Sequence, residues 1–229
     1  MFLKGAVRLK KGPVKFNKFG LPWVFSNEIE TIDKTIPPGS WVTLEANDGQ
    51  AAAYGYFNPH SVIAFRSFER SKFRSENDTR ALFFKRLDDA WQSRTRIYNR
   101  HIKAGLMGSK SFRLCFGESD GLPGLIIDLY EGGKNGIAVV QCHAAGADNF
   151  IFWAQTWLFE RMAIDCGIVR NDLDVRSREH VGKFVSEWGI LPSEVYCLEG
   201  GVRFKVDPRA GQKTGFFYDH RDNRAAFAE

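Results

Sequence analysis

The chain lacks most of what a membrane-spanning, secreted or metal-dependent protein would show. No apolar run approaches the ~18 residues that would cross a bilayer. The opening Met1-Phe2-Leu3-Lys4-Gly5 has no apolar leader core, so a cytoplasmic location and no membrane partner are expected. Only 4 cysteines are present, Cys115, Cys142, Cys166 and Cys197, and none belongs to a CxxC or a His-spaced pair. That argues against zinc, and no metal is expected. The cysteines sit mostly in short apolar runs such as Ala138-Val139-Val140-Gln141-Cys142, the setting of small core residues; a reactive thiolate needs a cationic neighbour to lower its pKa. A phosphate-cradling loop is missing too. Lys213-Thr214 has the ending of one, but the pattern requires glycine where this chain has Gln212 and Asp207.

What is there is the mix of a globular protein, 44% hydrophobic and 26% charged over 229 residues, enough for one large domain or two ordinary ones. The net charge of +5 conceals an asymmetry. Residues 1–110 hold 19 lysines and arginines against 10 acidic residues, whereas residues 111–229 hold 13 against 17. A basic front attracts polyanions, nucleic acid among them; a merely solvated basic surface is the other reading.

Turn formers cut the first 70 residues into short pieces: Gly12-Pro13, Gly20-Leu21-Pro22, Pro37-Pro38-Gly39, Asn47-Asp48-Gly49 and Asn58-Pro59. Between them Trp23–Phe25, Trp41–Leu44, Ala53–Phe57 and Val62–Phe65 read as strands of a small β-barrel. A helix capped by Asp78 follows, with Phe83, Leu87, Ala90, Trp91, Ile97 and Tyr98 at helical spacing among basic residues, ending near Gly105 and Gly108. Strands are then expected at Phe112–Phe116, Leu125–Tyr130, Ile137–Cys142, Ile168–Asn171, Val195–Leu198 and Val202–Val206, with a helix from a cap at Asp148 to about Ile164. Phe152 and Phe159 fall on that helix's far side, as crowded packing or as a partner surface. A last helix begins near Tyr218. The expected fold is α+β: a small β-barrel, a connecting helix and a small mixed α/β domain, divided 1–74, 75–108, 109–208 and 209–229.

Lys4, Arg8, Lys10, Lys11, Lys15 and Lys18 all precede the first acidic residue, Glu28, and Phe16, Phe19, Trp23 and Phe25 accompany them. Cations meet phosphates and aromatics stack on bases, so the pattern suits single-stranded or looped RNA. Arg94, Arg96 and Arg100 of the helix extend the candidate RNA-facing set. Glu118 and Asp120, in the turn Gly117-Glu118-Ser119-Asp120-Gly121-Leu122-Pro123-Gly124, read either as an acid/base pair or as solvated turn carboxylates.

Three segments carry a resemblance. They are Arg8–Gly12 with Gly20–Ile29, then Phe112–Tyr130, and Asp207–Arg224, supported by Asp48–Arg66. Together they resemble the bacterial large-subunit rRNA cytosine-C5 methyltransferases, with departures at Leu21, where relatives commonly have His, and at Glu179-His180-Val181, where Glu-Gly-Leu is usual. The resemblance implies a PUA domain followed by a central α/β domain, with ribosomal RNA as partner. It also implies S-adenosylmethionine as cofactor of the complete enzyme, with Gln212, Lys213, Thr214, Phe216 and Arg221 as candidates at the lip of its cleft. In that chemistry a cysteine attacks C6 of the base. None of the four cysteines has a matching context, and no strand followed by Gly-x-Gly lets a backbone approach the cofactor. The expectation is therefore an N-terminal portion without catalytic residues or tight cofactor binding, its oligomeric state open. A stand-alone RNA-binding module, or an inactive relative without the catalytic domain, is the alternative, and a small-molecule enzyme using Glu118 and Asp120 a more remote one.

Overall fold

The computed structural model describes residues 3–12, 16, 20–70, 75–103 and 111–228, with the backbone alone at 98–103 and 228. Lys15, Lys18, the Arg100 side chain and the Gly105–Gly108 boundary lie outside the described residues.

Period-two alternation builds the first sheet. Strands β1 (Ala6–Arg8), β2 (Trp23–Phe25), β3 (Ser40–Glu45), β4 (Ala51–Phe57) and β5 (Ile63–Glu69) pair in the order β1-β3-β4-β5-β2. Register shifts at Val24/Phe25, Leu44/Glu45 and Tyr54/Gly55 bend the strands. A bridge between Leu9 and Ile29 joins the segments that follow the two edge strands, so the sheet curls back on itself. Val7, Leu9, Phe16, Val24, Val42, Leu44, Phe57 and Phe65 fill the curl. Strand β1 was not expected from the sequence. It has three residues, too few for periodicity, and its parallel pairing with β3 is a tertiary event.

Helix α1 runs over Glu76–Lys103. Its start corrects the expected cap: the backbone N–H of Asp78 donates to the Ser75 hydroxyl at 3.2 Å, so Ser75 caps and Asp78 sits inside the first turn. Phe83 and Leu87 seat the helix on the core.

The second sheet contains β6 (Phe112–Phe116), β7 (Leu125–Tyr130), β8 (Ile137–Cys142), β9 (Gly167–Asn171) and β10 (Phe184–Trp188), in the order β10-β9-β8-β7-β6. Only β8 and β9 are parallel, joined through α2 (Ile151–Met162). Strands β7 and β8 are buried along their whole length and still alternate. Leu125, Ile127 and Leu129 of β7, with Ala138, Val140 and Cys142 of β8, join the core beneath α1 and α2. Tyr130, Ile137 and Val139 belong to the core on the opposite face, which puts Ile126, Asp128 and Gln141 there as well. That face is covered by the hairpin β11 (Val195–Glu199) and β12 (Val202–Val206) and by the segment leading through Tyr218 to α4 (Arg221–Ala228). The short α3 spans Asp174–Arg178.

Two further expectations are corrected around α2. Asp148 does not cap it; it lies in a 3-10 turn, Ala145–Phe150, and its carboxylate holds the buried Arg176 at 2.8 and 2.9 Å. Phe152 and Phe159 are not crowded: they are 72% and 62% exposed.

The two sheets share a core. Trp41, Tyr56 and Phe68 leave the curled sheet and pack with Phe83 and Phe150, the ring centroids 5.0 to 6.4 Å apart. The Tyr56 hydroxyl donates to the Pro123 carbonyl. Gly146 is required at this junction because a Cβ there would lie 1.9 Å from the Tyr56 ring. Asn58 and Ser61 complete it, each donating at 2.7 Å to the buried Glu179 of the second sheet's side. No described helix is long and apolar enough to cross a membrane.

Candidate functional site

The junction leaves a cleft of about 710 Å³ on the second face of the central sheet. Trp23 and Arg66 of the curled sheet form one wall, the Gly117–Asp120 turn with Phe116 another, and Arg113, Ile126, Gln141 and His143 the floor. Lys213 and Asp219 close the remaining side.

The turn is held by its charges. Glu118 accepts from Trp23 Nε1 at 2.9 Å and from Arg66 at 2.7 Å, tying the curled sheet to the turn. Asp120 takes a two-pronged bond from Arg94, at 2.5 and 2.6 Å, and also accepts the Phe116 backbone N–H. Each carboxylate is thus ion-paired within the molecule, Glu118 to Arg66 and Asp120 to Arg94. Arg94, one of the expected RNA-facing cations, meets Asp120 within the molecule.

The floor depends on polar residues set at second-face positions of otherwise apolar strands. Arg113 stands opposite Asp128 in register and binds both of its oxygens at 2.8 Å. Asp128, fully buried, also accepts from the Thr214 hydroxyl at 2.5 Å, and Thr214 is 2.8 Å from the Tyr130 hydroxyl. Gln141 donates to the Lys213 carbonyl at 2.9 Å, and its Oε1 lies 3.4 Å from His143 Nε2. Burial first, and then the nearby Arg113, hold His143 below the ordinary imidazole pKa, which favours the neutral ring.

The segment 207–220 is therefore strapped to the sheet. Arg170 donates to the carbonyls of Pro208 and Gly211, and the Tyr218 hydroxyl to that of Leu129 at 2.6 Å. Gly215 permits the turn: its φ is +116°, and a Cβ would meet Val206 at 2.6 Å.

The expected cofactor residues are divided by this arrangement. Lys213 lines the cleft, its ammonium 3.3 Å from Asp219, and Gln212 is exposed beside it. Thr214 is buried with its hydroxyl committed, and Phe216 packs against Phe204 and Tyr218 under the Arg224 guanidinium. Arg221 is half-buried and bonds Asp222. Phe216 thus belongs to the core on the second face, and the Thr214 hydroxyl is spent on Asp128 and Tyr130.

Of the expected RNA-facing cations, Lys4, Lys10, Lys11 and Arg96 are exposed, with no ion pair among the described residues. Arg8 is exposed but held by Glu45 at 2.9 Å. The backbone of Lys10 bonds that of Glu28, which puts the basic segment on the seam just beyond β2, the strand that carries Trp23 into the cleft. All four cysteines are buried, and burial raises every thiol pKa, that of Cys197 to about 12. Among the described residues no group of three or more His, Cys, Asp or Glu side chains could hold a metal ion.

The sequence reading missed Arg113, Phe116, Gln141 and His143 as site residues. For Arg113 and Gln141 the signal was available: a charged or amide side chain inside a buried apolar strand is the exception that calls for a reason.

Residues 7–70 match the family model of the PUA-like domain. The chain is 37% identical over 211 residues to ribosomal RNA large subunit methyltransferase I of Aeromonas salmonicida, covering 91% of this chain and 50% of that protein. It is 34% identical over 212 residues to the protein of the same name from Pseudoalteromonas atlantica, with coverage of 91% and 50%. A Streptococcus mutans structure assigned to the SAM-dependent methyltransferases superimposes with a TM-score of 0.71 at 15% identity, covering 96% of this chain and 53% of that one. That likeness is one of fold. The chain spans about half the length of the relatives it matches.

Proposed function

We propose that these 229 residues are the RNA-holding part of a SAM-dependent ribosomal RNA methyltransferase that modifies cytosine at C5 in the cytoplasm. In this reading 1–74 is a barrel-like grip, 75–108 a strut, 109–208 a rigid platform and 209–229 the lip toward the cofactor. The observation that carries it lies on the PUA-like sheet: Lys4, Lys10 and Lys11 stand exposed and without an ion pair among the described residues, and the same sheet contributes Trp23 and Arg66 to a cleft shared with the central sheet. Similarity to ribosomal RNA methyltransferases along nine-tenths of the chain supports the choice of polyanion.

The residues here hold and orient; the methyl-transfer step belongs to groups outside them. Four buried, protonated thiols cannot serve as the nucleophile that attacks a pyrimidine. The committed Thr214 and Phe216 leave only Lys213, Gln212 and Arg221 to touch a cofactor from this side. Calorimetric titration of this chain with S-adenosylmethionine is expected to show weak binding or none.

The test is binding of a labelled single-stranded or looped ribosomal RNA fragment, followed by fluorescence anisotropy across a salt series. Contact with about five phosphates predicts a log-log slope of roughly −3 to −5. Absent binding, or affinity indifferent to salt, overturns the proposal.

A further inference from the structure

The cleft has a chemical character different from the exposed lysines of the PUA-like sheet. Its charged groups are already paired within the protein: Arg66 with Glu118, Arg113 with Asp128, Lys213 with Asp219. A phosphate entering it would meet no uncompensated cation. What the cleft does offer is an aromatic face and spare polar groups. Phe116 is 51% exposed at the end of a strand whose other residues are largely buried, an expensive position for a phenyl ring with nothing over it. The Arg113 guanidinium lies 5.3 Å from the Phe116 ring centroid. His143, held neutral, uses one ring nitrogen toward Gln141 and has no partner for the other among the described residues. The Ser119 hydroxyl, exposed on the same wall, has none either. A volume near 710 Å³ is in the range of small-ligand pockets and far too small for a duplex.

We infer that this cleft takes one unstacked base of single-stranded RNA, laid against Phe116 and hydrogen-bonded by His143 and Ser119. The strand's phosphates stay outside, toward the exposed Lys10 and Lys11 of the Leu9–Ile29 seam. The inference rests on the RNA-holding reading and deepens it by stating that the bound RNA is splayed and that one of its bases is buried between the two sheets. The division of labour follows from the side chains: mobile ammonium groups neutralise a backbone of any sequence, whereas a π-face with neutral donors and acceptors suits an uncharged base. Glu118 is a positioning residue here, because its bonds to Trp23 and Arg66 keep the cleft walls at a fixed separation.

The experiment uses the 229-residue chain and fluorescein-labelled octaribonucleotides of mixed sequence. A parallel set carries 2-aminopurine at successive positions, whose fluorescence is quenched on stacking. Phe116→Ala should weaken binding about tenfold and abolish quenching at the one position that is quenched by the parent, with the salt slope unchanged. Phe116→Trp keeps a stacking face and should remain within about threefold of the parent, which separates loss of stacking from loss of fold. His143→Ala should weaken binding a few-fold and leave the quenching in place.

Salt-dependent binding with neither a quenched position nor any effect of Phe116→Ala overturns the cleft proposal while the RNA-holding reading stands. Equal affinity for an octamer duplex, with the same sensitivity to Phe116→Ala, also overturns it, since no base is splayed there. No binding of any RNA by the parent chain overturns both.

Discussion

The lysines of the PUA-like sheet and the arginines around the central sheet are put to opposite uses. On the first sheet, Lys4, Lys10 and Lys11 stand in water with no partner among the described residues. On the second, nearly every guanidinium is spent inside the molecule: Arg113 on Asp128, Arg170 on Asp172, Arg176 on Asp148. The difference is one of side-chain chemistry as well as place. A planar guanidinium matches a carboxylate with two parallel bonds and tolerates burial, whereas an ammonium is strongly hydrated and stays at the surface. Lysines of the seam therefore remain free for an external anion. Arginines of the sheet act as struts, and the basic front inferred from the sequence is narrower than its charge count.

The contrast breaks most visibly at Asp128. Its carboxylate is fully buried and accepts from Arg113 and Thr214 at once. Asp128→Asn removes the charge that Arg113 was built to meet, and breaking a buried pair on one side costs about 3–5 kcal/mol. Because Arg113 is a quarter exposed, the lower end is expected, about 3 kcal/mol, read as a drop in the urea midpoint. A loss below about 1 kcal/mol would mean that the network is solvated and that the central sheet handles charge as the seam does.

The next effect is steric. Gly146→Ala drives a Cβ into the Tyr56 ring where the two sheets meet, and overpacking of this kind costs about 1–3 kcal/mol. Since Trp41, Tyr56 and Phe68 belong to the same core as α1 and the central sheet, unfolding is expected to stay a single transition by circular dichroism and by tryptophan fluorescence. Two separated transitions would show that the sheets are independent units.

These two sites also show what the sequence could reveal. Strands β6, β7 and β8 were legible to the residue because buried apolar strands announce themselves locally, and the largely exposed β12 because Gly200-Gly201 and Pro208 bracket it. Strand β1, the exposed edge strand β10 and the short α3 were not: their identity depends on partners distant in the chain. The candidate site divided in the same way. The Glu118–Asp120 turn and Lys213 were found by motif, but whether each carboxylate was free or locked depended on Arg66 and Arg94, which lie 52 and 26 residues away. The Thr214 hydroxyl was visible in the sequence, but its bonds to Asp128 and Tyr130, 86 and 84 residues away, were not.

A smaller, chemical contrast concerns the thiols. All four cysteines are buried with raised pKa values, Cys197 at about 12, so each stays protonated near pH 8. The folded chain should give close to no reaction with a thiol-specific disulfide reagent over minutes, and the full complement of 4 once unfolded in guanidinium. One rapidly reacting thiol in the folded chain would reopen the search for a nucleophile here.

The smallest effect on stability is the one that sharpens the comparison most. Lys10→Ala with Lys11→Ala removes two exposed ammonium groups that touch no acidic partner among the described residues, so unfolding free energy should change by less than about 0.5 kcal/mol. RNA binding should respond all the same. Each lost phosphate contact lowers the salt slope by about 0.7 for a single strand, so the double variant should be shallower by about 1.4 if both lysines bind. The Arg94→Ala variant is the inverse case: it unlocks Asp120 and should lower stability while leaving the salt slope unchanged. A pair of lysines that alters stability, or an Arg94 variant that changes the slope, would place the anion-binding surface on the helix and not on the seam of the PUA-like sheet.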